Sequence, residues 1–220
     1  MSFKAVIFDL DGTLVNSIED IASSMNVVLK KNEFPTHDLE TYERFIGYGI
    51  RNLVFKAVPE THKEDEFVDI YFKEMLQVYR DNCVQKTALY SGVPEMLNAL
   101  VSLNIPMAVF SNKAEELTKK VVQYVVSEWK FTDVVGLTTE VLKKPNPNKA
   151  IQIAESLGIS TREILFVGDS EVDMQTAIGA GMQAVGVVWG FRSQEQLEKS
   201  GATYILQQPL DLIDIIKKQN

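Results

Sequence analysis

Four apolar residues, Ala5 to Phe8, run directly into Asp9-Leu10-Asp11-Gly12-Thr13-Leu14. A run that short, with Val6 and Ile7 at its centre, predicts a strand buried on both faces. A carboxylate at the exit of such a strand is costly to desolvate unless a cation or a hydrogen-bond donor compensates it. Asp-Gly alone is a common turn dipeptide, but two aspartates one residue apart also point to a site. Gly12 permits a tight turn and lets its N–H approach whatever the carboxylates hold. The arrangement suits a nucleophilic carboxylate, a second carboxyl for proton transfer and a hard cation between them.

Ligands in open α/β sheets gather at the carboxyl ends of the strands, so the other apolar runs are informative at their exits. Val109-Phe110 leads into Ser111-Asn112-Lys113, a hydroxyl followed by backbone and amide donors. Phe166-Val167 leads into Gly168-Asp169-Ser170, a further carboxylate, with Asp173 four residues beyond it. Between them lies Lys143-Lys144-Pro145-Asn146-Pro147, where prolines ahead of a helix fix the backbone and aim a lysine.

Positioning these groups requires strands at Ala5–Phe8, Ile105–Phe110, Ile164–Val167 and Ala184–Val188, with a weaker candidate at Tyr204–Leu206. Helical spacing fills the gaps: Pro94 to Val101, Ala114 to about Trp129, Pro147 to Leu157 with Gly158 as its stop, and Glu171 to about Ile178. Apolar strands alternating with helices predict an α/β fold, a three-layer Rossmann-like core with a parallel sheet. Residues 16–86 break that alternation, with helical patterns at Ile18–Leu29 and Phe67–Tyr79 and turns at Pro35 and Gly47-Tyr48-Gly49. The reading is a catalytic core of residues 1–15 and 87–220, with a helical cap of residues 16–86 inserted after the first strand. An insert attached beside a site is a natural lid.

The 220 residues carry 22 Lys and Arg against 30 Asp and Glu, a formal net charge of −8. That field attracts neither nucleic acid nor an anionic membrane. It would also repel a phosphorylated substrate, so an anion site must rely on local cations, a metal and a few lysines. The single cysteine, Cys83, reads as a buried structural thiol. No stretch approaches the ~20 apolar residues of a membrane span, and the run from Ala5 is too short for a signal peptide. The cytoplasm is the expected compartment. His37 and His62 read as surface positions of the insert, Glu64-Asp65-Glu66 as an exposed helix start, and Trp129 and Trp189 as packing residues.

Together these residues resemble the haloacid dehalogenase superfamily of aspartate-nucleophile phosphatases. Asp9-Leu10-Asp11-Gly12-Thr13 fits its first motif, Ser111 its second, Lys144-Pro145 its third, and Gly168-Asp169-Ser170 through Asp173 its fourth, in the family's order. The insert resembles the type-1 cap. Gly47, Arg51 and Tyr90-Ser91-Gly92-Val93 look most like the phosphoglycolate phosphatase branch. Ser111 departs from the threonine commoner in that branch, although both supply a hydroxyl. The register of the third motif rests on the Lys-Pro pair, which leaves Lys143 a solvated neighbour.

The resemblance implies the roles. Asp9 would attack phosphorus and form an aspartyl-phosphate, while Asp11 would protonate the leaving oxygen and then deprotonate water. Mg2+ would be held by the Asp9 carboxylate, the Asp11 backbone carbonyl and Asp169, with Asp173 orienting a bound water or Lys144. Lys144 would neutralise charge on the phosphoryl group. Gly12, Thr13, Ser111 and Asn112 would hold its oxygens, with Lys113 as a secondary contact. In the cap, Gly47 belongs to the substrate-binding set. Arg51 is either a solvated helix residue or a reach toward a substrate carboxylate. The implied partner is a small phosphorylated metabolite, phosphoglycolate first, handled by a monomer or homodimer. The alternatives are a phosphosugar mutase of the β-phosphoglucomutase type and a non-catalytic phosphometabolite-sensing or protein-binding module.

Overall fold

The structure is a computed structural model that describes residues 2–218. The chain divides into two compact units, one of residues up to Asn16 together with Leu89 onward, the other Ser17–Ala88. In chain order, strand β1 is Ala5–Phe8 and a two-residue strand, β2 (Val15–Asn16), ends the first passage. Helices α1 (Ile18–Lys31), α2 (Leu39–Phe45), α3 (Gly49–Ala57) and α4 (Asp65–Asn82) build the second unit. The return is marked by β3 (Ala88–Leu89), followed by α5 (Val93–Ser102), β4 (Met107–Ala114), α6 (Glu115–Val125) and β5 (Asp133–Leu137). Then come α7 (Asn148–Leu157), β6 (Ile164–Gly168), α8 (Glu171–Ala180) and β7 (Gln183–Val187). Helix α9 (Gln194–Lys199), β8 (Tyr204–Leu206) and α10 (Asp211–Lys218) complete the α/β unit.

Six strands form one parallel sheet in the order β5-β4-β1-β6-β7-β8. Every residue of β1 and β6 is buried, as apolar strands covered on both faces must be. Ile7, Phe110 and Phe166 share a core cluster with Ala150 and Ile153 of α7, Met174 and Ala177 of α8, and Leu197 of α9. The right-handed rule for parallel crossovers puts α5 and α6 on the opposite face, giving three layers. From β1 the chain crosses toward β4, whereas from the adjacent β6 it crosses the other way, toward β7. The crevice between the ends of β1 and β6 is therefore the topological switch point, where such sheets bind ligands. Phe8 pairs with Val109 on one side and Val167 on the other, so Asp9 leaves β1 at the level of Phe110 in β4 and Gly168 in β6.

The element boundaries differ from expectation in informative places. Strand β5 has no counterpart in the apolar runs, because its DVVGL is only half-buried at the sheet edge. Gly136 within it is required by packing, since a Cβ there would lie 2.6 Å from the Thr118 hydroxyl and 2.7 Å from the Lys113 carbonyl oxygen. Strand β4 runs on to Ala114, which places Ser111, Asn112 and Lys113 within the strand rather than in a loop beyond it. Helix α6 stops at Val125, four residues short of Trp129. Among the described residues no helix is long and apolar enough to cross a membrane.

In the helical unit, α1 and α3 both pack on α4, burying Met25 and Leu29 of α1, Leu53 and Val54 of α3, and Met75 and Tyr79 of α4. Cys83 is buried at the end of α4. The two histidines are not surface residues. His37 is half-buried with Nε2 2.8 Å from the Ala57 carbonyl oxygen, and His62 is half-buried against the rings of Phe34, Phe67 and Tyr71. Each is held by aromatic or backbone partners that sequence spacing does not reveal. Glu64, Asp65 and Glu66 are exposed at the start of α4, where carboxylates suit the helix dipole.

One buried carboxylate ties the two ends of this unit together. Asp20, in the first turn of α1, accepts the Lys86 N–H at 3.0 Å, the Thr87 N–H at 2.9 Å and the Thr87 hydroxyl at 2.7 Å. Substituting Asp20→Ala would leave those donors without their acceptor. Because hydrogen bonds to charged groups contribute ~1.5–3 kcal/mol, we expect a loss of about that size in urea unfolding. A change within ~0.5 kcal/mol, the usual size at neutral surface positions, would show that the clamp contributes nothing.

Candidate active site

The turn after β1 is tightly wound. The Leu10 carbonyl oxygen accepts the N–H groups of Thr13, Leu14 and Val15, and Gly12, at φ +83°, donates its N–H to the Val15 carbonyl at 2.9 Å. That φ favours glycine, and a side chain there would also strike the Asp169 carboxylate and, at 2.7 Å, the Phe191 ring. Gly190 is equally constrained, since a Cβ would run into Asp169 and the Gly12 carbonyl oxygen. Glycines on two loops thus let the ends of β1, β6 and β7 close around Asp169.

The β1 end supplies Asp9, whose Oδ1 accepts the Leu10 N–H at 2.7 Å and the Lys144 ammonium at 2.9 Å. Both contacts fall on Oδ1. Lys144 is buried and also donates to Asp173 Oδ1 at 2.6 Å, with its ammonium 5.6 and 5.8 Å from the ring centres of Phe110 and Phe166. Asn112 clamps the Lys144 backbone in two directions: its Oδ1 accepts the Lys144 N–H at 2.8 Å and its Nδ2 donates to the Lys144 carbonyl at 3.1 Å. The other Asp173 oxygen accepts the Ser170 N–H at 3.0 Å and the Ser170 hydroxyl, a capping box that opens α8. Asp169 Oδ2 accepts the Phe191 N–H at 2.8 Å.

These distances bring the residues expected from the strand ends into one cluster. Carboxylate oxygens of Asp9, Asp169 and Asp173 all lie within 4.8 Å of one another. Lys113 departs from expectation: its side chain is 2% exposed, and its ammonium is 2.9 Å from both oxygens of Asp11. Ser111 is buried, with its Oγ accepting the Lys113 N–H at 3.3 Å. The buried Thr13 hydroxyl has no hydrogen-bond partner among the described residues. Lys143 pairs with Glu140 at 3.0 Å, away from the cluster. Gly47 and Arg51 belong to the helical unit, where the Arg51 guanidinium binds Asp69 at 2.8 Å and Asp65 at 2.9 Å.

Four carboxylates (Asp9, Asp11, Asp169, Asp173) face two ammonium groups (Lys113, Lys144), which leaves two negative charges uncompensated if all are ionised. The protonation of the site reflects that surplus. Burial, with the Asp173 and Asp11 charges adding to it and Lys144 opposing, raises the pKa of Asp9 to about 7. Burial and the charges of Asp173 and Asp9 likewise hold Asp169 well above the ordinary carboxylate range. Burial pushes Lys144 down, but the charges of Asp173 and Asp9 outweigh it and keep the ammonium above its usual value. A surplus of two negative charges on clustered oxygen donors fits a hard divalent cation.

Sequence reading missed the loop after β7. Trp189 donates its indole N–H to the Thr13 carbonyl at 3.0 Å, Gly190 and Phe191 cradle Asp169, and the nearly buried Arg192 pairs with Glu171 at 3.0 Å. The signal was present, since Trp189-Gly190-Phe191 stands at a strand exit like the other motifs.

A parallel α/β core with paired aspartates ending its central strand, and a lysine and aspartates converging from neighbouring elements, defines a hydrolase with a carboxylate-centred site. The family model for haloacid dehalogenase-like hydrolases matches residues 6–187, and the chain belongs to that family. It is similar to the phosphoglycolate phosphatase of Aquifex aeolicus, 32% identical over 213 residues that cover 97% of this chain and 96% of the relative. It is 33% identical to that of Chromobacterium violaceum over 217 residues, with the same coverage. The solved structure of a candidate phosphoglycolate phosphatase from Lactobacillus delbrueckii subsp. bulgaricus superposes with a TM-score of 0.90 at 27% identity, over 98% of this chain and 99% of that one. The chain is a phosphoric monoester hydrolase by family and relatives.

The raised Asp9 pKa carries a stability prediction for the metal-free protein. Between the ordinary 3.8 and about 7, the folded state holds a proton on Asp9 that the unfolded chain has released. The native state then binds more protons, so this group's contribution to stability falls as pH rises through that window. With chelator present, wild type should lose thermal stability relative to Asp9→Asn between about pH 4 and about pH 7. A constant difference between the two melting temperatures would contradict the surplus-charge account.

Proposed function

We propose that this hydrolase cleaves a small phosphomonoester of the phosphoglycolate kind through an aspartyl-phosphate on Asp9, with Mg2+ as its cation. The observation that carries the reading is Asp9 itself, whose Oδ1 is held by the Leu10 N–H and Lys144 within a cluster that also contains Asp169 and Asp173. The Asp9 carboxylate attacks phosphorus in line, the bond from phosphorus to the ester oxygen breaks, and Asp11 gives its proton to the departing alkoxide. Water then attacks the phosphorus of the aspartyl-phosphate and passes a proton to Asp11. The bond from phosphorus to Asp9 breaks, releasing inorganic phosphate and restoring both carboxyl groups.

Lys144 lies against the nucleophile and offsets charge on the transferring group, with the Ser111 hydroxyl and the Asn112 N–H as donors to its oxygens, whereas the Gly12 N–H expected in that set is already donated to the Val15 carbonyl. Asp9, Asp169 and the Asp11 carbonyl would hold Mg2+, which when bound supplies Lewis-acid neutralisation of the phosphoryl oxygens. Asp173, with its oxygens on Lys144 and Ser170, acts by orienting the lysine. The substrate class is supported by the names of the relatives from Aquifex aeolicus and Chromobacterium violaceum. The helical insert, attached directly after the Asp9–Thr13 turn, is assigned to substrate selection as a lid, in a cytoplasmic enzyme acting on soluble metabolites.

Phosphate release from phosphoglycolate, within a panel of phosphorylated metabolites, tests the reading. Turnover should disappear with chelator, return with Mg2+, and be absent in Asp9→Asn along with any phosphoenzyme. Normal turnover in that variant would remove the nucleophile assignment. Conversion of β-glucose 1-phosphate to its 6-phosphate would instead establish the mutase. Lys144→Ala should lose at least ~100-fold in kcat, the scale of removing one electrostatic stabiliser. Activity near wild type would remove that duty from Lys144.

A further inference from the structure

Lys113 is the second buried lysine of the site, and its placement differs from that of the first. Lys144 bridges two different aspartates, whereas Lys113 sits 2.9 Å from each oxygen of a single one, Asp11. Its backbone is anchored on both sides, the N–H donating to Ser111 Oγ at 3.3 Å and the carbonyl accepting the Thr118 hydroxyl at 3.0 Å. The irregularity in β4 between Phe110 and Ala114 falls across this stretch. The lysine therefore starts from a fixed point in the sheet and reaches 102 residues back along the sequence to the β1 turn.

A carboxylate at a strand exit can rotate about its own side-chain bonds, and a proton donor is effective only while aimed at the leaving oxygen. An ammonium that binds both oxygens of the ionised carboxylate restrains that rotation, and when one oxygen takes up a proton the ammonium still holds the other. We propose that Lys113 is the positioning residue of Asp11, holding it for proton transfer, rather than a ligand of the substrate phosphate. The proposal rests on the assignment of Asp11 as acid and base.

The two roles separate by leaving group. An alkyl phosphate must receive a proton as its alkoxide departs, whereas p-nitrophenyl phosphate expels a stable phenolate and needs little help. Only kcat/KM should be compared, since it reports the steps through leaving-group departure and is unaffected by slow hydrolysis of the phosphoenzyme. Lys113→Met and Asp11→Asn should each lose at least ~100-fold in kcat/KM for phosphoglycolate and less than ~10-fold for p-nitrophenyl phosphate. The double variant should be no worse than Asp11→Asn alone, because a residue acting through another adds nothing once that other is gone. It also lacks the buried carboxylate that Lys113→Met leaves unpaired, so it answers the question if the single variant fails to fold.

Equal losses on both esters in Lys113→Met, alongside a discriminating Asp11→Asn, would overturn the proposal and make Lys113 a phosphate contact. Multiplying losses in the double variant would overturn it as well. If Asp11→Asn itself fails to discriminate between the esters, the acid/base assignment falls and this proposal with it.

Discussion

A surplus of buried negative charge governs this molecule. Desolvating a carboxylate is costly, and a buried ion pair recovers that cost only with good geometry and satisfied hydrogen bonds. Here the compensation comes from within the α/β unit. Lys144 binds Asp9 and Asp173, Lys113 binds Asp11, and backbone or capping groups serve Asp9, Asp169 and Asp173. The remaining surplus shows in the raised pKa values of Asp9 and Asp169, and it is the charge that a divalent cation would neutralise.

Such a cluster needs a scaffold that brings distant segments to one level and holds them there. The parallel sheet does so because β1 lies between β4 and β6 in register, and because the crossovers diverge at β1 and β6, leaving a crevice. The glycines do the fine placement. Gly12 and Gly190 allow two loops to close on Asp169 at distances that a single added carbon would forbid. Charge placed by apolar strands and spaced by glycines explains why an apolar core and an acidic site coexist within a few residues.

Much of this is legible in the sequence because buried parallel strands are continuous apolar runs, and Asp9, Ser111 and Asp169 each follow one directly. Asp9 and Asp169 follow from that rule alone, and so does the α/β class. What escapes the rule depends on pairing across the fold. The edge strand β5 is half-buried and carries no continuous apolar signal. The Asn112 clamp on the Lys144 backbone involves residues 32 apart, and the Trp189–Thr13 hydrogen bond residues 176 apart. Lys113 reads from the sequence as a secondary phosphate contact, because nothing local ties it to Asp11, whose position across the fold makes its burial favourable. The half-buried histidines of the helical unit were missed for the same reason, since aromatic packing partners leave no local pattern.

The two lysines also ease a conflict in the composition. A net charge of −8 repels a phosphorylated substrate over the scale of the Debye length, ~8 Å at physiological ionic strength. Lysines on the surface would be screened and would contribute little, whereas buried ammonium groups act at short range in a medium of low dielectric. Outnumbered by four carboxylates, the two ammonium groups lessen the repulsion at the site rather than reverse it, and a bound divalent cation would supply the remaining positive charge. The cost is that each buried lysine must be matched to a carboxylate before substrate arrives. In this chain the matching carboxylates include Asp9 and Asp11, so the groups that make the lysines tolerable are the ones proposed to perform the reaction.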